Sequence, residues 1–134
     1  MVDRQYLLDT NVLIEIFRGS HVLQQHIASK GLEKCLVSEL SLGELYVGAF
    51  KSGRKEHFDQ IGFIEQSFRV IPPEGLASVY GKIRADLELA GTPVEDMDLL
   101  LAATAVSRGL TLVTHNVRHF SRIPGLQVED WFTD

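Results

Sequence analysis

An internal disulfide is impossible in this chain, because Cys35 is its only cysteine among 134 residues. That agrees with a reducing compartment, and the setting Cys35-Leu36-Val37 reads as a packed thiol rather than a reactive one. No apolar run approaches the roughly 18–20 residues needed to span a bilayer. The start, Met1-Val2-Asp3-Arg4-Gln5, carries an acid early, and the apolar stretch after it is broken by Asp9 and Asn11. A secretory signal has the opposite pattern, so the expected location is cytoplasmic with no membrane contact. Internal repeats, low-complexity tracts and linkers are also missing, and Pro72-Pro73 is too short to be more than a turn. Excess positive charge is lacking too: 13 Lys and Arg face 18 Asp and Glu, a net −5. Bulk charge therefore gives no support to nucleic-acid binding. With 45 % hydrophobic and 23 % charged residues, what remains is an ordinary globular composition. The length suits one compact domain over 1–134.

The distribution of charge says more than its sum. From Leu99 to Val128 there is no acid, while Arg108, His115, Arg118, His119 and Arg122 fall there; Asp86, Glu88, Glu95, Asp96 and Asp98 crowd just before. An acidic cluster beside a basic lip suits a metal site that handles a phosphodiester. An unevenly charged, solvated surface is the plainer reading.

Short apolar strands alternate with helical patterns along the chain. Tyr6-Leu7-Leu8 reads as a buried strand followed by a helix through Phe17; Gly19 stops it, and Ser20 can cap a second helix to about Ser29. Cys35-Leu36-Val37 is the next strand. Leu42, Leu45, Tyr46, Ala49 and Phe50 then recur at helical spacing, as do Phe58, Ile61, Ile64 and Phe68. Arg69-Val70-Ile71 makes a brief strand, and Leu76, Val79, Tyr80, Ile83 and Leu87 an amphipathic helix with Gly91 where its terminal cap belongs. Asp98 opens a helix that is apolar on nearly every side, ended by Gly109 and followed by strands at 110–113 and 126–128. The pattern describes an α/β fold with a parallel sheet covered on both faces. In such folds ligands gather at the carboxyl ends of the strands, where Asp9, Asp98 and Asn116 can converge.

Each acid also has a purely structural reading. Ser41-Leu42-Gly43-Glu44 fits a capping box, Asp9 could cap the helix that begins near Val12, and Asp96 and Asp98 suit a helix start. Yet Asp9 abuts Val12-Leu13-Ile14 and Asp98 abuts Leu99-Leu100-Leu101, and acids beside buried runs suffer desolvation unless compensated. Three carboxylates within about 4 Å would repel pairwise by roughly 4 kcal/mol at an effective dielectric near 20. Protonation or a bound cation would relieve them. No Cys or His stands at zinc-like spacing, so oxygen donors alone point to Mg²⁺ or Mn²⁺. Such a site hydrolyses phosphodiesters.

At this point the residues resemble a known family. Leu7-Leu8-Asp9-Thr10-Asn11-Val12-Leu13-Ile14 resembles the opening motif of PIN-domain nucleases, and Ser38 to Leu45, ending in Gly43-Glu44-Leu45, their second acidic motif. Asp98-Leu99-Leu100-Leu101-Ala102-Ala103-Thr104-Ala105 resembles the third, and Leu112-Val113-Thr114-His115-Asn116 with Phe120 the fourth; the tail from Ile123 through Trp131 is similar to the VapC branch, the toxins of toxin–antitoxin pairs. The resemblance implies a three-layer α/β/α domain with a short central parallel sheet, a homodimer, Mg²⁺- or Mn²⁺-dependent cleavage of RNA, and neutralisation by a VapB-like antitoxin. It assigns catalysis to Asp9, Glu44, Asp98 and Asn116, with Asp9 and Asp98 as metal ligands. Thr10, Asn11 and Thr114 orient the cluster or touch the phosphate, which makes Asn11 and Thr114 the candidate substrate-binding residues. Asp96 caps its helix or assists through water. Where many members carry an acid at Asn116 or at His119, this chain has neither. Asn116 can still offer a carbonyl oxygen, His119 either contacts RNA or, the reading preferred, is a satisfied surface histidine, and one strong ion site is expected.

Rival functions fit less well. A response-regulator receiver needs an acidic pair after its first strand and a lysine after its last core strand, but the final lysine is Lys82. A haloacid-dehalogenase phosphatase needs Asp-x-Asp, and the third position here is Asn11. A catalytically weak PIN scaffold that binds RNA or a partner is the stronger alternative.

Overall fold

The central strands are short and wholly buried, so each must be covered on both faces. In the computed structural model, which describes residues 3–132, β1 is Tyr6–Leu8, β2 Cys35–Ser38 and β4 Thr111–Val113, every residue buried. Met1 and Val2 of the amino-terminal stretch lie outside the described residues, as do Thr133 and Asp134. The edge strands β3 (Arg69–Ile71) and β5 (Gln127–Glu129) are only partly buried. All pairings are parallel, in the order β3-β2-β1-β4-β5.

Side chains alternate between the faces. Leu7, Leu36, Ile71 and Leu112 join one apolar cluster with α5 (Ala77–Leu89) and α6 (Asp96–Arg108). Tyr6, Leu8, Cys35, Val37 and Val113 join the other, under α1 (Thr10–Phe17), α2 (His21–Lys30), α3 (Glu39–Ser52) and α4 (Lys55–Ser67). A one-turn helix, α7 (Val117–Phe120), seals the first cluster with Phe120. Three layers result, as expected. Cys35 is inert, because burial pushes its thiol up to about 11. No helix among the described residues is long and apolar enough to cross a membrane.

The strand order locates the ligand crevice. From β1 the chain steps outward to β2 and β3, then returns to place β4 on the other side of β1. The connections leaving β1 and β4 therefore part company at their carboxyl ends and open a crevice there. Asp9 follows β1 directly, its N–H donating to the Val113 carbonyl (3.1 Å), and Thr114 follows β4.

Four local expectations shift. The proposed capping box does not form: α3 is capped by Ser38, whose Oγ accepts from the Leu40 N–H at 3.1 Å. Ser41 is instead fully buried inside the helix, its hydroxyl without a partner. The helix expected to open at Asp98 starts at Asp96, so Asp98 sits in its first turn. Asp96 does not cap it: that carboxylate is exposed and pairs with the Arg84 guanidinium at 3.2 Å. The last strand lies one residue later than read, because the Thr114 N–H donates to the Glu129 carbonyl (3.0 Å) and extends the pairing.

These caps can be told apart by stability. Ser38→Ala should cost about 1 kcal/mol, the usual loss of an N-cap. Ser41→Ala should be neutral or stabilising, because it removes an unpartnered buried hydroxyl and adds the best helix former. Urea unfolding of both variants measures this; equal losses would mean that the helix starts at Ser41.

Candidate active site at the carboxyl edge of the sheet

Asp9 belongs to the crevice and to the helix after it at once. It is the N-cap of α1, with Oδ1 accepting from the Val12 N–H at 3.0 Å, and it is only 6 % exposed. The Thr114 hydroxyl also hydrogen-bonds its carboxylate. Burial raises the Asp9 pKa above the ordinary 3.8 against these bonds, and the charge of Asp98 adds to the rise. So the cap reading is right, and it leaves the carboxylate poorly compensated.

Asp98 comes from the opposite layer, in the first turn of α6. Burial raises its pKa as well, opposed by His119 and assisted by Glu95. His119 Nε2 lies 3.1 Å from Asp98 Oδ2, and its ring packs edge-on against Phe120 at 5.3 Å. The surface reading of His119 is thus corrected: its side chain is 22 % exposed and holds a site carboxylate. Glu44, with its cap role gone, accepts from the Thr10 hydroxyl at 2.5 Å, which ties α3 to the start of α1.

Asp9, Glu44 and Asp98 line one cavity of about 700 Å³ together with Thr10, Asn11 and Glu95. Asn11 is exposed on its wall. Thr114 is fully buried, with its hydroxyl on the Asp9 carboxylate. Asn116 does not reach the cavity wall. It is exposed at the cap position of α7, and its backbone N–H donates to Thr114 Oγ1 at 3.0 Å. The turn after β4 spends that residue's backbone on holding Thr114, and leaves its amide facing water. Sequence reasoning passed over Glu95 as a site residue, although it lies one turn before Asp98. It also missed the far wall of Arg18, His57 and Gln60, which carries no motif.

The three acids do not meet as a closed cage. Among the described residues, no group of three or more His, Cys, Asp or Glu side chains is arranged to hold a metal ion. Two desolvated aspartates from opposite layers, each with a raised pKa, still fit a hard cation. Mg²⁺ usually keeps several waters and binds through one or two carboxylates plus a phosphate. Asp9 and Asp98 would supply the carboxylates, and Glu44 and Glu95 line the same cavity.

The profile of the PIN domain matches residues 6–126. The chain is 37 % identical to the tRNA(fMet)-specific endonuclease VapC of Salmonella typhimurium, over 95 % of this chain and 98 % of that protein. It is 33 % identical to ribonuclease VapC1 of Haemophilus influenzae, over 94 % and 97 %. Its fold superposes with a TM-score of 0.88 on a chain of the DNA-bound VapBC complex from Salmonella typhimurium, at 33 % identity over 96 % of this chain and 98 % of that one.

The two roles of Asp9 separate by substitution. A carboxylate whose folded pKa is raised contributes a penalty that grows as pH rises from the unfolded value through the folded one. Asn caps as well as Asp, so Asp9→Asn without metal should melt above wild type at pH 7, and the gain should shrink as pH falls towards about 4. Asp9→Ala also loses the cap, about 1 kcal/mol, and should melt below Asp9→Asn at every pH. Thermal melts in chelator test this; an Asn variant less stable than wild type at pH 7 would make Asp9 a structural carboxylate.

Proposed function

The chain belongs to the PIN-domain family, and from that membership we infer that it is a ribonuclease toxin of the VapC type, neutralised by a VapB antitoxin. We further propose that it cuts RNA with Mg²⁺ or Mn²⁺ and works in the cytoplasm as a homodimer. The observation that carries the catalytic reading is the pair Asp9 and Asp98: two desolvated carboxylates lining one cavity at the switch point of the sheet. A fold that needed them only for stability would not leave their charge so poorly compensated.

A bound divalent ion supplies polarisation of the phosphate and an activated water. The chain's own residues do the positioning. Thr114 and the Val12 N–H hold Asp9, and His119 holds one oxygen of Asp98, as partners behind metal ligands commonly do. Thr10 fixes one oxygen of Glu44. Asn11, exposed on the wall, offers an amide to the phosphate. With Asn116 turned to water, the Asp pair defines one ion site. The relative from Salmonella is named for tRNA(fMet); for this chain the reading extends to RNA as a class. An aromatic cluster on the α3–α4 hairpin, with Phe50 73 % exposed and edge-on to Phe58 at 5.0 Å, suits a protein partner such as the antitoxin.

Incubation of single-stranded RNA with the purified protein should give Mn²⁺- or Mg²⁺-dependent cleavage that chelator abolishes. Asp9→Asn and Asp98→Asn should each lose several kcal/mol of transition-state stabilisation, more than about a hundredfold in rate. Glu44→Gln should lose activity with little loss of stability, since no cap depends on it. His119→Ala should weaken Mn²⁺ binding by about tenfold to a hundredfold in calorimetry. The weak-scaffold alternative would show itself in a wild-type protein that binds RNA but cuts none with either metal.

A further inference from the structure

The cavity has a second end that the acids do not explain. Three helices line it, each with one stripe. On α3, Glu44, Gly48 and Ser52 stand four residues apart and form one row. Glu44 and Gly48 lie on the cavity wall, and at Ser52 the row meets His57 of α4. That end lies about 12 Å from Glu44, given eight residues of helical rise. On α1, Asp9 caps one end and Arg18 the other, a similar distance away. The helices α1 and α3 pack against one another. Away from the carboxylates the cavity is lined by Arg18, His57 and Gln60 beside the apolar Phe17, Ala49 and Ile61.

The chemistry of the far end differs from that of the near end. His57 Nδ1 lies 2.7 Å from Ser52 Oγ, which also accepts the Arg54 N–H (3.2 Å). This fixes the ring and leaves its other nitrogen for a ligand. Gln60, one turn along α4, offers an amide with both donors and an acceptor. Mixed donors and acceptors suit the edge of a nucleobase; a site for phosphate alone would present donors only. Arg18 is held by Glu15 at 2.8 Å, with its side chain 70 % exposed. The nearby turn adds the cation Lys51, while Arg54 is paired with Glu56 and Lys55 with Asp59.

We propose that the far end is a nucleotide subsite, where His57 and Gln60 read the base of an RNA nucleotide flanking the cut and Arg18 lies beside its backbone. Unstacked bases in single-stranded RNA are read in this way, by hydrogen bonds to their edges. The proposal rests on the RNA-cleaving reading of the acidic end, and binding can be measured apart from it. In an Asp9→Asn background, His57→Ala and Gln60→Ala should each weaken a fluorescent single-stranded RNA about tenfold in anisotropy titrations. Gln60→Glu, nearly isosteric, should do the same and guards against misfolding. Among oligonucleotides made abasic at successive positions, one should lose a similar factor, and His57→Ala should then cost little more, because both changes remove the same contact. In the wild-type background, both alanine variants should raise KM about tenfold with a smaller change in kcat.

Unchanged RNA affinity in the variants, losses that simply add to the abasic loss, or an equal loss against inorganic polyphosphate would each overturn the subsite. A wild-type protein that cuts no RNA, with these binding losses intact, would overturn the nuclease reading and leave the subsite standing.

Discussion

The desolvated carboxylate of Asp9 is the constraint around which the rest is arranged. It stands at the end of a buried strand, where no water can solvate it fully, and the chain answers with hydrogen bonds from Thr114 and the Val12 N–H. Those bonds require β4 beside β1 and a helix starting directly after Asp9, which is what the switch-point topology supplies. They do not suffice, since burial and Asp98 still raise its pKa. A protein that keeps this imbalance is trading stability for a site that attracts a cation.

The second layer of support comes from the opposite face of the sheet. Asp98 rides on α6, whose apolar residues Leu99, Leu101, Ala102, Ala103 and Ala105 are all buried, so its backbone has little freedom. His119 on α7 then fixes the carboxylate, with Phe120 anchoring that one-turn helix in the same core. The two aspartates are thus held by separate clusters, one on each side of the sheet. Such rigidity suits metal chemistry, where small misplacements weaken binding.

The acidic end alone would make a nonspecific phosphodiesterase. What distinguishes one RNA from another must lie further along the cavity, where α1, α3 and α4 present different side chains. The hairpin of α3 and α4 turns at Gly53, whose positive φ of 66° ends α3 and lets α4 double back against it. That turn brings Ser52 and His57 together, although neither belongs to a recognisable acidic motif.

Strands 6–8, 35–37 and 69–71, the helices after them and the three-layer arrangement were legible because the apolar periodicities are strong and Ser20, Gly91 and Gly109 punctuate them. Asp9 and Asp98 were legible because an acid against a buried run is a local conflict that shows in one dimension. Glu44 was legible as an acid of the site, but its capping box was an artefact of spacing, since Ser38 had a better-placed hydroxyl. His119 was misread because its partner lies 21 residues away, beyond any helical period. Glu95 was legible only as one acid of a crowded cluster, and the far wall not at all. The sequence by itself determined the layers, the parallel sheet and which acids would be desolvated, since these follow from local patterns of burial. Only the tertiary structure decided that Asn116 faces water, that His119 grips Asp98 and that His57 shares a cavity with Asp9, because those meetings depend on how separate helices cross the sheet edge.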